Sequence, residues 1–236
     1  MSAVVYPDGL DLTPNPRTIR WVTDDQLEAF SYILNQKVPI TLPSDKWIFY
    51  TCWPHLLSKA KKRELPVFRY YGIFLNVAGV HWVFYLYDKI RKKGIVFDSM
   101  STDIYCHYPV IKTSIEFSPQ TREKKKEMGL DISDIKIKYL GWQGHGDNDN
   151  CGIYAAWIAY WVYSQLLDDK NPFTERPQHE PGFSIEFVRK KFYDIITNGF
   201  SEDQIFEFYD GSPEEPYTQP LPISGYDPLN FISLLK

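Results

Sequence analysis

The stretch that decides the fold is GHGDNDNCGIYAAWIAYWVY, residues 144–163. A polar, glycine-rich loop runs into Cys151, and an almost wholly apolar segment follows at once. Gly144, Gly146 and the Asp/Asn run deny the loop a strand conformation and favour a sharp turn. The apolar run Ile153–Tyr163 is eleven residues long, too short to span a bilayer and suited to a helix buried in a core. Cys151 is thus predicted at the first turn of that helix. Unpaired N–H groups and the positive end of the helix dipole favour an anionic sulfur there.

Three roles compete for this cysteine. A calcium loop fails. Asp147 and Asp149 have the spacing and Gly152 falls at the sixth position, but Cys151 and Ile158 occupy the fifth and twelfth, where oxygen ligands are needed. Inert packing is the ordinary role of a buried thiol. A nucleophile needs more than a helix. Bringing a thiol from ~8.5 to ~6.5 takes ~2.7 kcal/mol, whereas a helix terminus supplies ~0.3–1 and at best ~2 kcal/mol. A cationic partner is required, and an imidazolium is the usual one.

The chain holds five histidines. His107 follows Cys106 directly, so the two side chains point apart. His55 lies three residues after Cys52 and reads as cover for a helix end. His179 sits in a proline-rich loop, and His145 stands in the glycine loop with nothing to orient it. His81 differs: it opens an apolar strand, HWVFYLYD (81–88), where a polar residue without a role would be out of place. The next strand, GIVFDSM (94–100), carries Asp98 near its end. An antiparallel pairing through the KIRKK turn brings the start of one strand beside the end of the other. His81 and Asp98 then meet at one edge of the sheet, where the carboxylate can hold the imidazole in the tautomer that faces a thiol.

Outward from these elements, the 236 residues suffice for one large domain. They are 44% hydrophobic and 17% aromatic, with a net charge of −4 and no large basic block. That balance argues against a sequence-independent grip on nucleic acid. Three cysteines without a CxxC or Cys/His spacing argue against a disulfide scaffold or a zinc finger. The N-terminus has prolines and aspartates where a signal peptide needs an apolar core. The expectation is a soluble, monomeric protein of a reducing compartment, the cytoplasm.

Residues 1–20 read as an N-terminal arm, 21–211 as the folded domain and 212–236 as a proline-rich tail. Thr23 with Gln26 forms a capping box for a helix of about a dozen residues, with Leu27, Phe30 and Leu34 on one face. WIFYTC (47–52) has strand composition, and a short helix should follow Pro54. YGIFLNV (71–77) precedes the two strands already described, making an antiparallel meander. Ser118-Pro119 starts an exposed basic helix, IKIKYL (135–140) is a half-buried strand, and SIEFVRKKFYDIIT (184–197) is a second, amphipathic helix.

GVHWVFYLYD, IVFDSM and GWQGHGDNDNCGIYAAW resemble, in order, the His-Trp, Asp-Ser and Gln…Cys-Gly motifs of clan CE cysteine peptidases. These are the ubiquitin-like-protein proteases and deubiquitinases, with adenain as a viral relative. WVTDDQLEAF is similar to the opening helix of that family. The resemblance implies an α+β fold: a central, mostly antiparallel sheet flanked by helices, papain-like and of the ubiquitin-like-protease type. It implies Cys151 as nucleophile, His81 as general base and acid, Asp98 as the orienting carboxylate and Gln143 as side-chain donor to the oxyanion. Trp82 would wall the narrow channel that admits a Gly-Gly tail. No cofactor is implied, and the partner would be ubiquitin or a ubiquitin-like protein and its conjugates.

Two features depart from the family pattern. Seven residues separate Gln143 from Cys151, where five or six are usual, and Asn150 replaces the common aspartate before the cysteine. Asp147, Asp149 and Asp103 would stand at the channel mouth and favour the arginine-bearing tail of ubiquitin over the neutral tail of SUMO, with NEDD8 similar to ubiquitin. Two alternatives remain at the level of sequence: an effector-type acetyltransferase of the same clan, and an inactive binding module. The absence of an obvious inositol-phosphate site among the basic clusters disfavours the first, and an intact triad disfavours the second. A protease this small, without a long regulatory arm, would suit a bacterial or viral effector in a host cytosol.

Overall fold

Thr23 sets the first helix. Its hydroxyl accepts from the Gln26 N–H at 3.2 Å, and the Gln26 side chain accepts from the Thr23 N–H at 3.1 Å. This closed capping box starts α1 (Asp24–Thr41), which buries Leu27, Phe30 and Leu34 as the periodicity predicts. The helix has 18 residues rather than about a dozen: Val38 extends the buried stripe, and Pro39 falls only in the last turn. The computed structural model describes residues 6, 10–13, 21–54, 68–77, 79–100, 135–143, 147, 149–178 and 184–199. The short helix expected after Pro54, the basic helix from Ser118 and the 212–236 tail lie outside the described residues, the helix after Pro54 for all but its first residue.

After a single 3₁₀ turn at Ser44–Lys46 come β1 (Ile48–Cys52), β2 (Tyr70–Val77), β3 (His81–Asp88), β4 (Lys93–Asp98) and β5 (Ile135–Tyr139). Two helices complete the order, α2 (Cys151–Leu167) and α3 (Ile185–Asn198). The strands form one sheet in chain order, β1-β2-β3-β4-β5. Its centre, β2-β3-β4, is the antiparallel meander, and the outer strands β1 and β5 each join it in parallel. The architecture is therefore α+β, a central sheet with helices packed on it.

Strand alternation divides the core. Ile48, Tyr50, Phe74, Phe84, Leu86 and Phe97 pack with α1, α2 and α3 in one cluster. Phe49, Tyr71, Ile73, Val83, Tyr85 and Val96 form a second cluster on the other face. The α2 helix is buried along most of its length and lies against β3 and β4, with α3 and α1 beside it. Parts of the 1–20 arm are docked too: Tyr6 donates to the Ile196 carbonyl at 2.5 Å, and Gln26 Nε2 donates to the Leu12 carbonyl at 3.2 Å. Among the described residues no helix is long and apolar enough to cross a membrane.

Candidate active site

Cys151 is the first residue of α2, preceded by Asn150 as N-cap without a side-chain capping bond. Helical φ/ψ from that point on leave the first-turn N–H groups without intrahelical acceptors. Apolar residues behind the cysteine fix the helix in the core, so the sulfur's place is set by packing rather than by the loop.

The meander supplies the other two groups. Phe84 pairs with Phe97 in the β3–β4 register, so one further step sets Asp98 beside Val83. His81, two residues earlier on β3, shares the same side of the pleat. Its Nε2 lies 2.8 Å from Asp98 Oδ1, with His81 4% and Asp98 0% exposed. Asp98 Oδ1 also accepts from the Met100 N–H at 2.9 Å, which fixes that oxygen independently of the imidazole. The Cys151 side chain is the second group that acts on this imidazole. With Nε2 turned to the carboxylate, Nδ1 is the ring nitrogen facing sulfur. Burial works against the imidazolium, but the bonds to Asp98 and Cys151 and their charges outweigh it and push the His81 pKa up to about 10.

Gln143 arrives by the parallel pairing of β4 and β5. Beyond the strands that ladder continues: Leu140 N–H donates to the Asp98 carbonyl at 2.8 Å. The N–H groups of Trp142 and Gln143 both donate to the Ser99 carbonyl, at 2.8 and 2.9 Å. The Gln143 side chain is 2% exposed; Ser99 Oγ donates to its Oε1 at 2.8 Å, and its Nε2 donates to the Asp147 carbonyl. A carbonyl only accepts, so the amide nitrogen must face Asp147 and its oxygen Ser99.

Trp82 lies on the helix side of β3, 6% exposed, and donates Nε1 to the Val22 carbonyl at 2.9 Å. A Cβ added at Gly152 would come within 2.7 Å of Val22 Cβ and 3.3 Å of Trp82 Cδ1. Only glycine lets these residues close on the start of α2.

The two described aspartates of the loop are half-buried and hydrogen-bonded locally. Asp147 Oδ1 accepts from Asn150 Nδ2 at 2.8 Å and from the N–H groups of Asn150 and Asp149 at 3.2 and 3.4 Å. Its carboxylate holds the turn that leads into α2, because bare N–H groups of a tight loop need an inward acceptor. Burial raises the Asp147 pKa despite these donors. Asp149 Oδ1 accepts from Trp21 Nε1 at 3.1 Å. Asp103 and His145 lie outside the described residues. Of the two described cysteines, Cys52 is buried at the end of β1, and burial, with Glu28 adding to it, pushes its thiol up. Cys151 is the one with an imidazole beside it.

Sequence reasoning noted Asn150 only as a departure from the family pattern and gave Ser99 and Arg189 no role of their own. Arg189 Nη2 donates to Asn150 Oδ1 and to the Asp149 carbonyl, the latter at 3.1 Å. A signal was present: on α3 the apolar stripe is Ile185, Val188, Phe192, Ile195 and Ile196, and Arg189 falls inside it. A charge on the buried stripe of a helix calls for a polar partner within the core.

A cysteine opening a buried helix, facing His and Asp at the ends of neighbouring strands, is the layout of the papain-like class of cysteine-peptidase folds. No protein family and no curated protein matches the sequence. Solved structures do. The effector protein XopD of Xanthomonas campestris, solved bound to ubiquitin, superposes with a TM-score of 0.51 at 17% identity, over 81% of this chain and 97% of its own. SUMO protease Ulp1 with its catalytic cysteine oxidised to a sulfenic acid gives 0.48 at 15% identity, over 82% and 87%. The C-terminal Ulp1 protease domain in complex with Smt3, the yeast ortholog of SUMO, gives 0.45 at 16%, over 72% and 78%. The chain has the fold of the clan CE ubiquitin-like-protein protease domains.

Proposed function

We propose that this chain is a thiol protease that cleaves after the C-terminal Gly-Gly of ubiquitin or a ubiquitin-like modifier. The observation that carries the proposal is the buried His81, held 2.8 Å from Asp98 and influenced by Cys151 at the start of α2. In this reading His81 takes the thiol proton and the Cys151 sulfur attacks the scissile carbonyl carbon. The oxyanion receives the second Gln143 amide hydrogen and the Cys151 N–H. The C–N bond breaks as His81 Nδ1 passes its proton to the leaving amine. Water, deprotonated by His81, then cleaves the thioester, releasing the modifier's carboxylate and restoring the thiol. Trp82, beside Gly152, would by resemblance wall the channel that admits the two glycines.

The neighbour solved with ubiquitin makes ubiquitin the first modifier to try, with SUMO beside it. Ubiquitin and SUMO carrying a C-terminal electrophile should each be offered to the full chain. Formation of a covalent adduct at Cys151, located by mass spectrometry and abolished in Cys151→Ala and His81→Ala, is the expected result. A folded wild-type protein that forms no adduct with either probe, or an adduct that survives His81→Ala, would overturn the proposal.

A further inference from the structure

Gln143 is held by two side-chain bonds, one to the sheet and one to the loop before α2. Its Oε1 is fixed by Ser99 on the sheet; its Nε2 rests on the carbonyl of Asp147. Asp147 in turn is held by Asn150 Nδ2, and Asn150 Oδ1 by Arg189 of α3. The result is one hydrogen-bonded line from the third helix to the oxyanion donor, Arg189–Asn150–Asp147–Gln143–Ser99.

Each member suits its place chemically. Asn150 must accept from a guanidinium with one atom and donate to a carboxylate with the other, which only an amide side chain can do. The aspartate usual at this position in the resembled family would accept from Arg189 but set its charge against Asp147. Arg189 is 8% exposed and Asn150 3%, so the bond between them is shielded from water that could substitute for a lost partner. The unusual length between Gln143 and Cys151 gives the brace its purpose. Seven intervening residues, of which the described ones (147, 149 and 150) belong to no strand or helix, would let the Gln143 amide wander unless they are tied at an intermediate point. Asp147 is that point.

We propose that Arg189 and Asn150 are positioning residues for Gln143, aiming its amide at the oxyanion through Asp147. This rests on the protease function proposed above and deepens it. Neither residue touches the reacting atoms; both fix the direction of the group that does.

The test uses the full chain with Arg189→Met, Asn150→Asp, Asp147→Asn and the Asn150→Asp/Asp147→Asn pair. Three quantities are measured. They are kcat and KM on a fluorogenic ubiquitin or SUMO C-terminal amide, the rate of Cys151 alkylation by iodoacetamide, and the Gln143 side-chain amide resonances. Alkylation builds no oxyanion, so it reports the nucleophile without its donor. Removing an oxyanion donor outright costs ~10²–10³ in kcat, so misdirecting it should cost about 10-fold or more. Arg189→Met and Asn150→Asp should each show that loss, with KM and alkylation within about twofold of wild type. The Gln143 amide signals should move in both. Asp147→Asn alone should be mild, since an acceptor oxygen remains, and it should shrink the loss caused by Asn150→Asp because the carboxylate pair is gone.

Unmoved Gln143 signals, strictly additive effects in the double variant, or a loss that appears equally in alkylation would overturn the proposal. The last of these would place Arg189's influence on the thiol instead. Should Arg189→Met fail to fold, Asn150→Asp and its partner carry the same test from the loop side. If the wild type cleaves no ubiquitin-like substrate, the protease function fails, and the Gln143 resonances alone support or overturn the brace.

Discussion

Asp98→Asn isolates the charge of the orienting carboxylate from its shape. Both donors at this residue, His81 Nε2 at 2.8 Å and the Met100 N–H at 2.9 Å, meet the same oxygen. An asparagine with its carbonyl there still accepts from both, so the imidazole keeps its acceptor while the charge is lost and an amide takes the place of the buried Oδ2. A hydrogen bond to a charged group is worth ~1.5–3 kcal/mol. Two unit charges about 4 Å apart interact by ~4 kcal/mol at an effective dielectric constant near 20. The imidazolium of His81 should therefore be destabilised by roughly 1.5–4 kcal/mol, or ~1–3 pK units. From about 10 in the native protein, the group falls back toward the ordinary imidazole range, because burial, which opposes the cation, is unchanged. Activity that depends on the imidazolium should drop ~10- to ~10³-fold, and the alkaline limb of the profile should move to lower pH. The assay is kcat/KM against pH on the fluorogenic amide, paired with iodoacetamide inactivation over the same range. A variant within threefold of wild type, with its alkaline limb unmoved, would refute the electrostatic role assigned to Asp98.

Gln143→Ala should lower kcat on the order of 10²-fold with KM little changed; Ser99→Ala should lower it ~10-fold, and the double variant should be no worse than Gln143→Ala alone. Additive losses in steady-state kinetics would show that Ser99 does not act through Gln143. Gly152→Ala places a Cβ 2.7 Å from Val22 Cβ, a stiff neighbour. It should cost ~1–3 kcal/mol, read as a lowered Tm in a thermal melt, and an unchanged Tm would contradict that packing. His81 has a raised pKa in the fold, so its stabilising contribution is complete below 6.5 and is lost as pH rises through about 10. Denaturant melts of wild type against His81→Ala should therefore converge as pH climbs across that interval. A gap that widens would reverse the sign and exclude the shift.

The elements themselves were legible because their signals are local. Thr23 and Gln26 are three residues apart, and the strand periodicity of 71–77, 81–88 and 94–98 appears within each segment. A meander joins neighbours in sequence, so the convergence of His81 and Asp98 followed from one short turn. Cys151 was legible for the same reason: the change from loop to apolar helix happens at that residue. The parallel pairing of β5 with β4 was not, since it joins strands 37 residues apart at the closest sequence distance and no local pattern carries a register over such a gap. That pairing is what delivers Gln143 to Ser99. The local bonds of Asp147 were equally hidden, because the donors around a loop carboxylate are not known until the loop is folded. Arg189 lies 39 residues beyond Asn150. Sequence marks it as a charge on an apolar stripe, but only the packing of α3 against the loop before α2 decides what that charge holds.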